Sequence, residues 1–320
     1  MNFIVTEMTF MRYFMPLILE GNKRSIKSRI FIAPNAKYNN PYRFQDVFKH
    51  INDKHNVDIL QLAQVNNYPD TTFLIEGCGV DYINYENKKY SITYMTDFTT
   101  SYENYIDKVD HVIFPSKHIA EYYNKVSDKN LYLGSPKYGV ELNKQQINKK
   151  YNLDDSKKAL VIFPRTRDLN KVDMSKIYRS LREMGYKILV KTRGKDLVQD
   201  NLKGDYYFVD NSWYPHTTME LMEISDFVVN FSSTSIKECV ILRKPLINFD
   251  IKPFRLLLEY LYGYSYCKQM RTNFNSNELQ EAVRNLIGEN HDLEFNEASE
   301  KYLFNRKDVC KNILDNVGIK

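Results

Sequence analysis

The sequence predicts an α/β chain built from two successive parallel-sheet domains. Short apolar runs rich in β-branched residues alternate with helical stretches along the whole chain. At 320 residues the chain is long enough for two ordinary domains, each with a sizeable core. A polar stretch from Lys137 to Leu153, rich in Lys and Gln, separates two runs of the same pattern, as an interdomain linker would.

In the first run, Asn2 to Val5 reads as a strand and Thr6 to Thr9 as a turn. Phe10 to Glu20 reads as a helix with Thr9 near its N-cap. Strands follow at Ser28 to Ala33, Val57 to Ala63 and Thr72 to Ile75, with an amphipathic helix at Arg43 to Asn52. Glu76-Gly77-Cys78-Gly79 is a tight turn whose glycines permit positive φ. Tyr90 to Met95, Val109 to Phe114 and Asn130 to Leu133 are further strands, and a helix spans His118 to Val126.

After the linker the pattern restarts. Strands are expected at Ala159 to Phe163, Lys187 to Val190, Tyr206 to Val209, Phe227 to Val229 and Leu246 to Phe249. Helices are expected at Met174 to Met184, capped by Gly185, at Thr218 to Ile224, and at Ile236 to Leu242. Further helices read at Phe254 to Tyr262 and Glu278 to Ile287, with a broken terminal helix at Ser299 to Val317. Repeated strand–helix units of this length imply right-handed crossovers and a parallel sheet in each half.

Composition narrows the function classes. A hydrophobic share of 43% and a charged share of 27% place the chain among folded globular proteins. The net charge of +5 falls short of the clustered excess of a nucleic-acid binder, yet suits an anionic ligand or a peripheral contact with an anionic membrane. Cys78, Cys239, Cys267 and Cys310 form no C-x-x-C pair, which points to reduced thiols in a cytoplasmic protein. Arg12 and Pro16 interrupt Phe10 to Leu19, so that stretch does not read as a secretory signal, and no apolar run reaches the length of a membrane span. The six histidines are scattered, which argues against zinc and Ser-His-Asp hydrolases.

Asp226 to Asp250 is the most informative stretch. A buried strand runs into Ser232-Ser233-Thr234-Ser235, then a helix, then Lys244-Pro245 and a second strand. Backbone N–H groups and hydroxyls at the carboxyl edge of a parallel strand suit a phosphate. Ser235 and Glu238 equally fit a helix capping box, S-x-x-E. Two more loops leave the same expected edge: Arg165-Thr166-Arg167 and Lys191-Thr192-Arg193. Four fixed cations beside hydroxyls form a recipe for a diphosphate site that needs no metal.

These residues carry a resemblance. Asp226, the Ser232-Ser233-Thr234 turn, Glu238 and Lys244-Pro245 resemble the nucleotide-binding half of GT-B glycosyltransferases and their relatives. Nearest are the CDP-glycerol glycerophosphotransferases and the UDP-N-acetylglucosamine 2-epimerases. Val109 to Ser116 and Gly134-Ser135-Pro136 resemble the segments that close the first half of such proteins. Arg165-Thr166-Arg167 sits where the glycerophosphotransferases carry P-T-x-R. Lys191-Thr192-Arg193 sits where they carry K-x-H-P, but here the His-Pro is absent. The epimerase signatures are absent too, which ranks epimerase below transferase.

The resemblance implies a GT-B fold: two facing Rossmann-like domains with parallel sheets and a central cleft. Residues 1–145 form the acceptor domain, joined by a C-terminal helix at about 300–320, and residues 146–299 form the donor-binding domain. It implies a donor diphosphate on Arg165, Thr166, Arg167, Lys191, Arg193 and Ser232 to Ser235, with donor hydroxyls near Glu238. Trp213 and Tyr214 would hold the base, or simply anchor their loop. Glu7 and Asp97, each at a strand's carboxyl end, are the candidate general bases, although on local pattern a helix-end charge for Glu7 and a helix cap for Asp97 are the commoner roles.

The expected function is therefore glycosyl transfer from a nucleotide-activated sugar, for a surface glycan or glycopolymer. No cofactor and no metal are called for. The alternatives are a glycerophosphotransferase and a noncatalytic nucleotide-sugar binder.

Overall fold

The computed structural model describes residues 1–37, 51, 55–84, 86–94, 102–192, 198–209, 214, 216–252, 256–303 and 308–320. The chain divides into two compact units, Met1–Val140 with Glu300–Lys320, and Glu141–Ser299. The division falls inside the polar stretch expected to be a linker.

The first unit holds seven parallel strands: β1 (Asn2–Glu7), β2 (Ser28–Lys37), β3 (Val57–Gln61), β4 (Thr72–Ile75), β5 (Lys89–Ile92), β6 (His111–Phe114) and β7 (Asn130–Tyr132). Their spatial order is β3-β2-β1-β4-β5-β6-β7. The direction of winding reverses at β1, so the carboxyl ends of β1 and β4 flank a topological switch point. Phe3 is fully buried and meets Phe14 of helix α1 (Met11–Lys23) at 5.1 Å and Phe73 of β4 at 5.4 Å. Residues Glu300–Lys320 complete this unit. Arg24 donates to Asp315 and to the Ile319 carbonyl, both at 2.7 Å, and Ser116 Oγ donates to the Lys301 carbonyl at 2.8 Å.

The second unit holds six parallel strands: β8 (Lys158–Ile162), β9 (Lys187–Thr192), β10 (Tyr206–Val209), β11 (Phe227–Asn230), β12 (Leu246–Phe249) and β13 (Cys267–Met270). They lie in the order β10-β9-β8-β11-β12-β13. Counted within the unit this is 3-2-1-4-5-6, the dinucleotide-fold order, with its switch point between β8 and β11. Ala159, Val161, Val190, Phe227 and Val229 pack one face against Tyr178 and Leu181 of the helix Met174–Glu183. Their neighbours Leu160, Leu189 and Val228 alternate to the other face and are buried too, as in a sheet covered on both sides. Asp173 caps that helix by accepting the Lys176 N–H at 2.9 Å. It ends at Gly185, whose φ of +84° lets the Tyr186 N–H turn back to the Leu181 carbonyl.

Several expectations are corrected. The polar stretch contains a helix, Lys144–Tyr151, capped by Asn143 and anchored to buried Glu220. Lys150 Nζ reaches both Glu220 oxygens, at 2.9 and 2.7 Å, and the Tyr151 hydroxyl donates at 2.5 Å. Its polarity thus conceals one buried ionic anchor. Thr9 is not an N-cap, because a 3-10 turn, Met8–Phe10, precedes α1. Strand β3 stops at Gln61, where a 3-10 segment, Leu62–Asn67, begins. Strand β13 and the helix Asp292–Ala298 were not foreseen. The short edge strand Cys267-Lys268-Gln269-Met270 lacks an apolar run to betray it. The expected helix at Arg43 to Asn52 lies almost wholly outside the described residues.

Candidate functional site

The carboxyl ends of β9, β8 and β11 are adjacent in the second sheet. The three segments predicted to carry the anion site therefore leave neighbouring strands at the switch point, where ligands of open α/β sheets bind.

The centre of this edge is the turn after β11. Ser232 adopts a left-handed conformation, φ +49°, a costly one for a residue with a Cβ. Its N–H donates to Asn248 Oδ1 at 2.8 Å. Asn248 stands opposite Asn230 in the β11–β12 register, and Gln269 opposite Asn248 in the β12–β13 register. Asn230 Nδ2 donates to Asn248 Oδ1 at 3.0 Å and to the Tyr262 hydroxyl at 2.7 Å. That hydroxyl donates to the Ser233 carbonyl at 2.7 Å. Asn248 Nδ2 donates to Gln269 Oε1 at 2.9 Å and to Asp250 Oδ1 at 3.2 Å. Asn230 and Asn248 are fully buried; these bonds offset the desolvation of Asn248 and of Asn230 Nδ2, while Asn230 Oδ1 meets no described partner.

The turn itself is left open. Ser233, Thr234 and Ser235 are half-buried, with the Ser233 and Ser235 hydroxyls 3.3 Å apart. The backbone N–H groups of Ser233 and Thr234 donate to no described residue. The capping box that Ser235 and Glu238 could have formed is not made: Ser235 is αR and its side chain accepts nothing from the helix Ile236–Ile241. Glu238 is 5% exposed in the first turn of that helix, as is Lys237, a buried cation that sequence reasoning passed over.

The flanking segments differ from expectation. Arg165 is exposed at the carboxyl end of β8 and forms no ion pair with a described residue. Thr166 is exposed beside it. Arg167 lies 3.8 Å from Asp168, whose carboxylate also takes Lys171 Nζ at 2.7 Å. The hydrogen bond from Lys171 holds the Asp168 carboxyl below the ordinary carboxylate range, against the opposing effect of its burial. One of the two loop arginines is thus partly neutralised locally. Lys191 was expected in a loop, but it and Thr192 are the last residues of β9, and Lys191 is only 6% exposed. It alternates to the same sheet face as Asn230 and Asn248. Tyr214 is half-buried. Arg193 and Trp213 lie outside the described residues.

The first unit presents a different edge. Glu7 ends β1, half-buried, after a register shift between Val5 and Glu7 in the pairing with β2. Its Oε2 accepts from Thr9 Oγ1 at 3.4 Å, and its side chain does not cap the turn that follows. Across the switch point, Glu76 follows β4 directly, at φ +48°. Glu76 accepts the Tyr94 N–H at 2.7 Å and the Tyr105 hydroxyl at 3.3 Å. Burial, reinforced by Glu76, pushes the Tyr105 phenol far up, so it stays a donor. Asp97 lies outside the described residues.

One cluster elsewhere resembles a hydrolase site only in composition. Ser265 Oγ lies 2.8 Å from His291 Nδ1, but His291 Nε2 faces the Leu286 carbonyl at 2.9 Å. Glu294 accepts from Ser265 itself, through its N–H at 2.7 Å and its hydroxyl. The carboxylate therefore does not orient the imidazole, and the cluster docks the helix Asp292–Ala298. Among the described residues no group of three or more His, Cys, Asp or Glu side chains could hold a metal ion. No helix among them is long and apolar enough to cross a membrane.

No protein-family profile matches the chain, and no curated protein matches it in sequence. Solved structures match its fold over nearly its whole length. A Listeria monocytogenes protein assigned as a UDP-N-acetylglucosamine 2-epimerase aligns with a TM-score of 0.61 at 14% identity, covering 99% of this chain and 95% of that one. The wall teichoic acid polymerase TagF, in a variant soaked with CDPG, aligns at 0.63 and 13% identity, covering 99% and 87%. MurG of Acinetobacter baumannii aligns at 0.55 and 8% identity, covering 99% of each. The chain has the GT-B fold shared by these enzymes.

Proposed function

We propose that this chain is a transferase that uses a nucleotide-activated sugar to build a surface glycan or glycopolymer. The observation that carries the reading is the open turn at Ser232 to Ser235, beside Arg165, at the switch point of the second sheet. Two N–H groups that donate to no described residue, three half-buried hydroxyls and an exposed guanidinium offer donors and charge to a diphosphate, with charge-assisted bonds as the strong ones. Lys191 adds a buried cation one strand away.

In this reading the leaving diphosphate is stabilised by protein donors rather than by a metal, and the reaction takes place in the cytoplasm. Trp213, Tyr214 and Arg193 belong to the donor side. Glu7, or Asp97, removes the proton of the acceptor hydroxyl. A membrane contact, if the acceptor is lipid-linked, is peripheral.

A second reading, glycerophosphotransfer from a CDP-polyol, is favoured by the likeness to TagF and shares the same loops. Product analysis separates the two. Glycosyl transfer releases a nucleoside diphosphate from UDP-glucose or UDP-N-acetylglucosamine. Glycerophosphotransfer releases CMP from CDP-glycerol. Mass spectrometry of all three donors, each incubated with a glycopolymer acceptor fraction, should show UDP release. CMP release would favour the second reading, and consumption of none of the three would contradict both.

A further inference from the structure

We propose that Asn248 is the positioning residue of the phosphate-binding turn, an inference that rests on the donor-binding reading above. Its carboxamide is used completely. Oδ1 accepts from the Ser232 N–H and from Asn230 Nδ2, while Nδ2 donates to Gln269 and to Asp250. A side-chain amide has two donors and two acceptor lone pairs, and all four are engaged here.

This placement is expensive unless it has a purpose. Asn248 interrupts the apolar run Leu246-Ile247-Asn248-Phe249 in a strand that is wholly buried. An apolar residue would pack there without needing partners. What the amide secures is the backbone of Ser232, held in a left-handed conformation that a non-glycine residue seldom adopts alone. Tyr262 ties the next residue: its hydroxyl donates to the Ser233 carbonyl and accepts from Asn230. Held at both residues, the turn cannot relax to pair the N–H groups of Ser233 and Thr234 internally. The network thus keeps two donors available for a ligand, which is preorganisation rather than direct contact.

Asn248 and Tyr262 therefore act through the turn and not on the nucleoside, and that distinction is measurable. Calorimetry would compare wild type with Asn248→Leu and Tyr262→Phe, using CDP, UDP and GDP and the matching nucleosides. For whichever diphosphate binds wild type, Asn248→Leu should weaken binding about tenfold or more, the scale of losing a preorganised donor pair. Nucleoside affinity should stay within about twofold. Tyr262→Phe, which removes a single hydroxyl, should give a selective loss of about threefold.

A general loss of folded structure would weaken nucleoside and diphosphate alike, so equal losses overturn the proposal, as does no loss. Should Asn248→Leu fail to fold, Tyr262→Phe decides by the same criterion. Wild type that binds no nucleoside diphosphate defeats the donor-binding reading itself. Wild type that binds, with both variants indifferent, defeats only the role assigned to Asn248.

Discussion

The two sheets share one winding order, yet their switch points present opposite chemistry. In the first unit the carboxyl ends of β1 and β4 carry Glu7 and Glu76. In the second, the ends of β8, β9 and β11 carry Arg165, Lys191 and a hydroxyl-bearing turn. Backbone topology fixes where a ligand can sit in each sheet. The few residues after each strand fix what charge it meets there. The proposed function rests its division of roles on this contrast in charge at equal topology.

The contrast can be broken by substitution. The largest effect should come from Glu7→Gln. If Glu7 is the base, turnover falls by about 10²–10⁴ while donor affinity stays unchanged, and steady-state kinetics alongside calorimetry would show that split. An equal loss in donor binding would remove the division of roles.

Gly77→Ala probes how the first edge is built. Gly77 has φ +65°, and a Cβ there would lie 2.3 Å from Tyr105 Cβ. Strain and overpacking together should cost about 2–4 kcal/mol, read from chemical denaturation. Arg165→Ala probes the second edge. Its side chain is exposed, so stability should hold while diphosphate affinity drops by about 1.5–3 kcal/mol, roughly ten- to hundredfold.

The smallest effect concerns Asp168. Its carboxyl is held below the ordinary value, chiefly by Lys171, so the folded state releases the proton more readily than the unfolded chain. The stabilisation is complete above the unfolded value of ~3.9 and is lost as pH falls through the lower folded value. Asp168→Asn should therefore cost about 1 kcal/mol at pH 7, since Lys171 is half-exposed, and the difference should shrink below about pH 4. A difference that grows on acidification would contradict this.

Much of the scaffold was legible in the sequence because buried parallel strands are short apolar runs, and Phe227-Val228-Val229 or Ala159-Leu160-Val161 admit few other readings. Strand β13 escaped because Lys268 and Gln269 lie in an edge strand that needs no continuous apolar run. The helix Lys144–Tyr151 escaped because its apolar face is little more than the buried Ile147, and its ionic anchor, Glu220, is about 70 residues away in sequence. The hydroxyl turn reads as a ligand-site candidate from its sequence alone, but the side chains that hold it do not. Asn230 and Asn248 were visible as amides ending or interrupting apolar strands, the signal of a buried polar group that requires partners. Their pairing depends on strand register, which one sequence does not display. Lys191 was misplaced because a lysine at a strand's end reads as a loop cation until the sheet that buries it is known.

Diphosphate binding at the second unit's switch point is what the proposed function depends on. Calorimetric titration of the intact protein with UDP, UMP and uridine, and with the CDP and GDP series, tests it most directly. Saturable binding is expected in at least one series, with affinity rising from nucleoside to monophosphate to diphosphate and weakening when Arg165 is replaced by Ala. A diphosphate that binds no more tightly than its nucleoside in every series would contradict it.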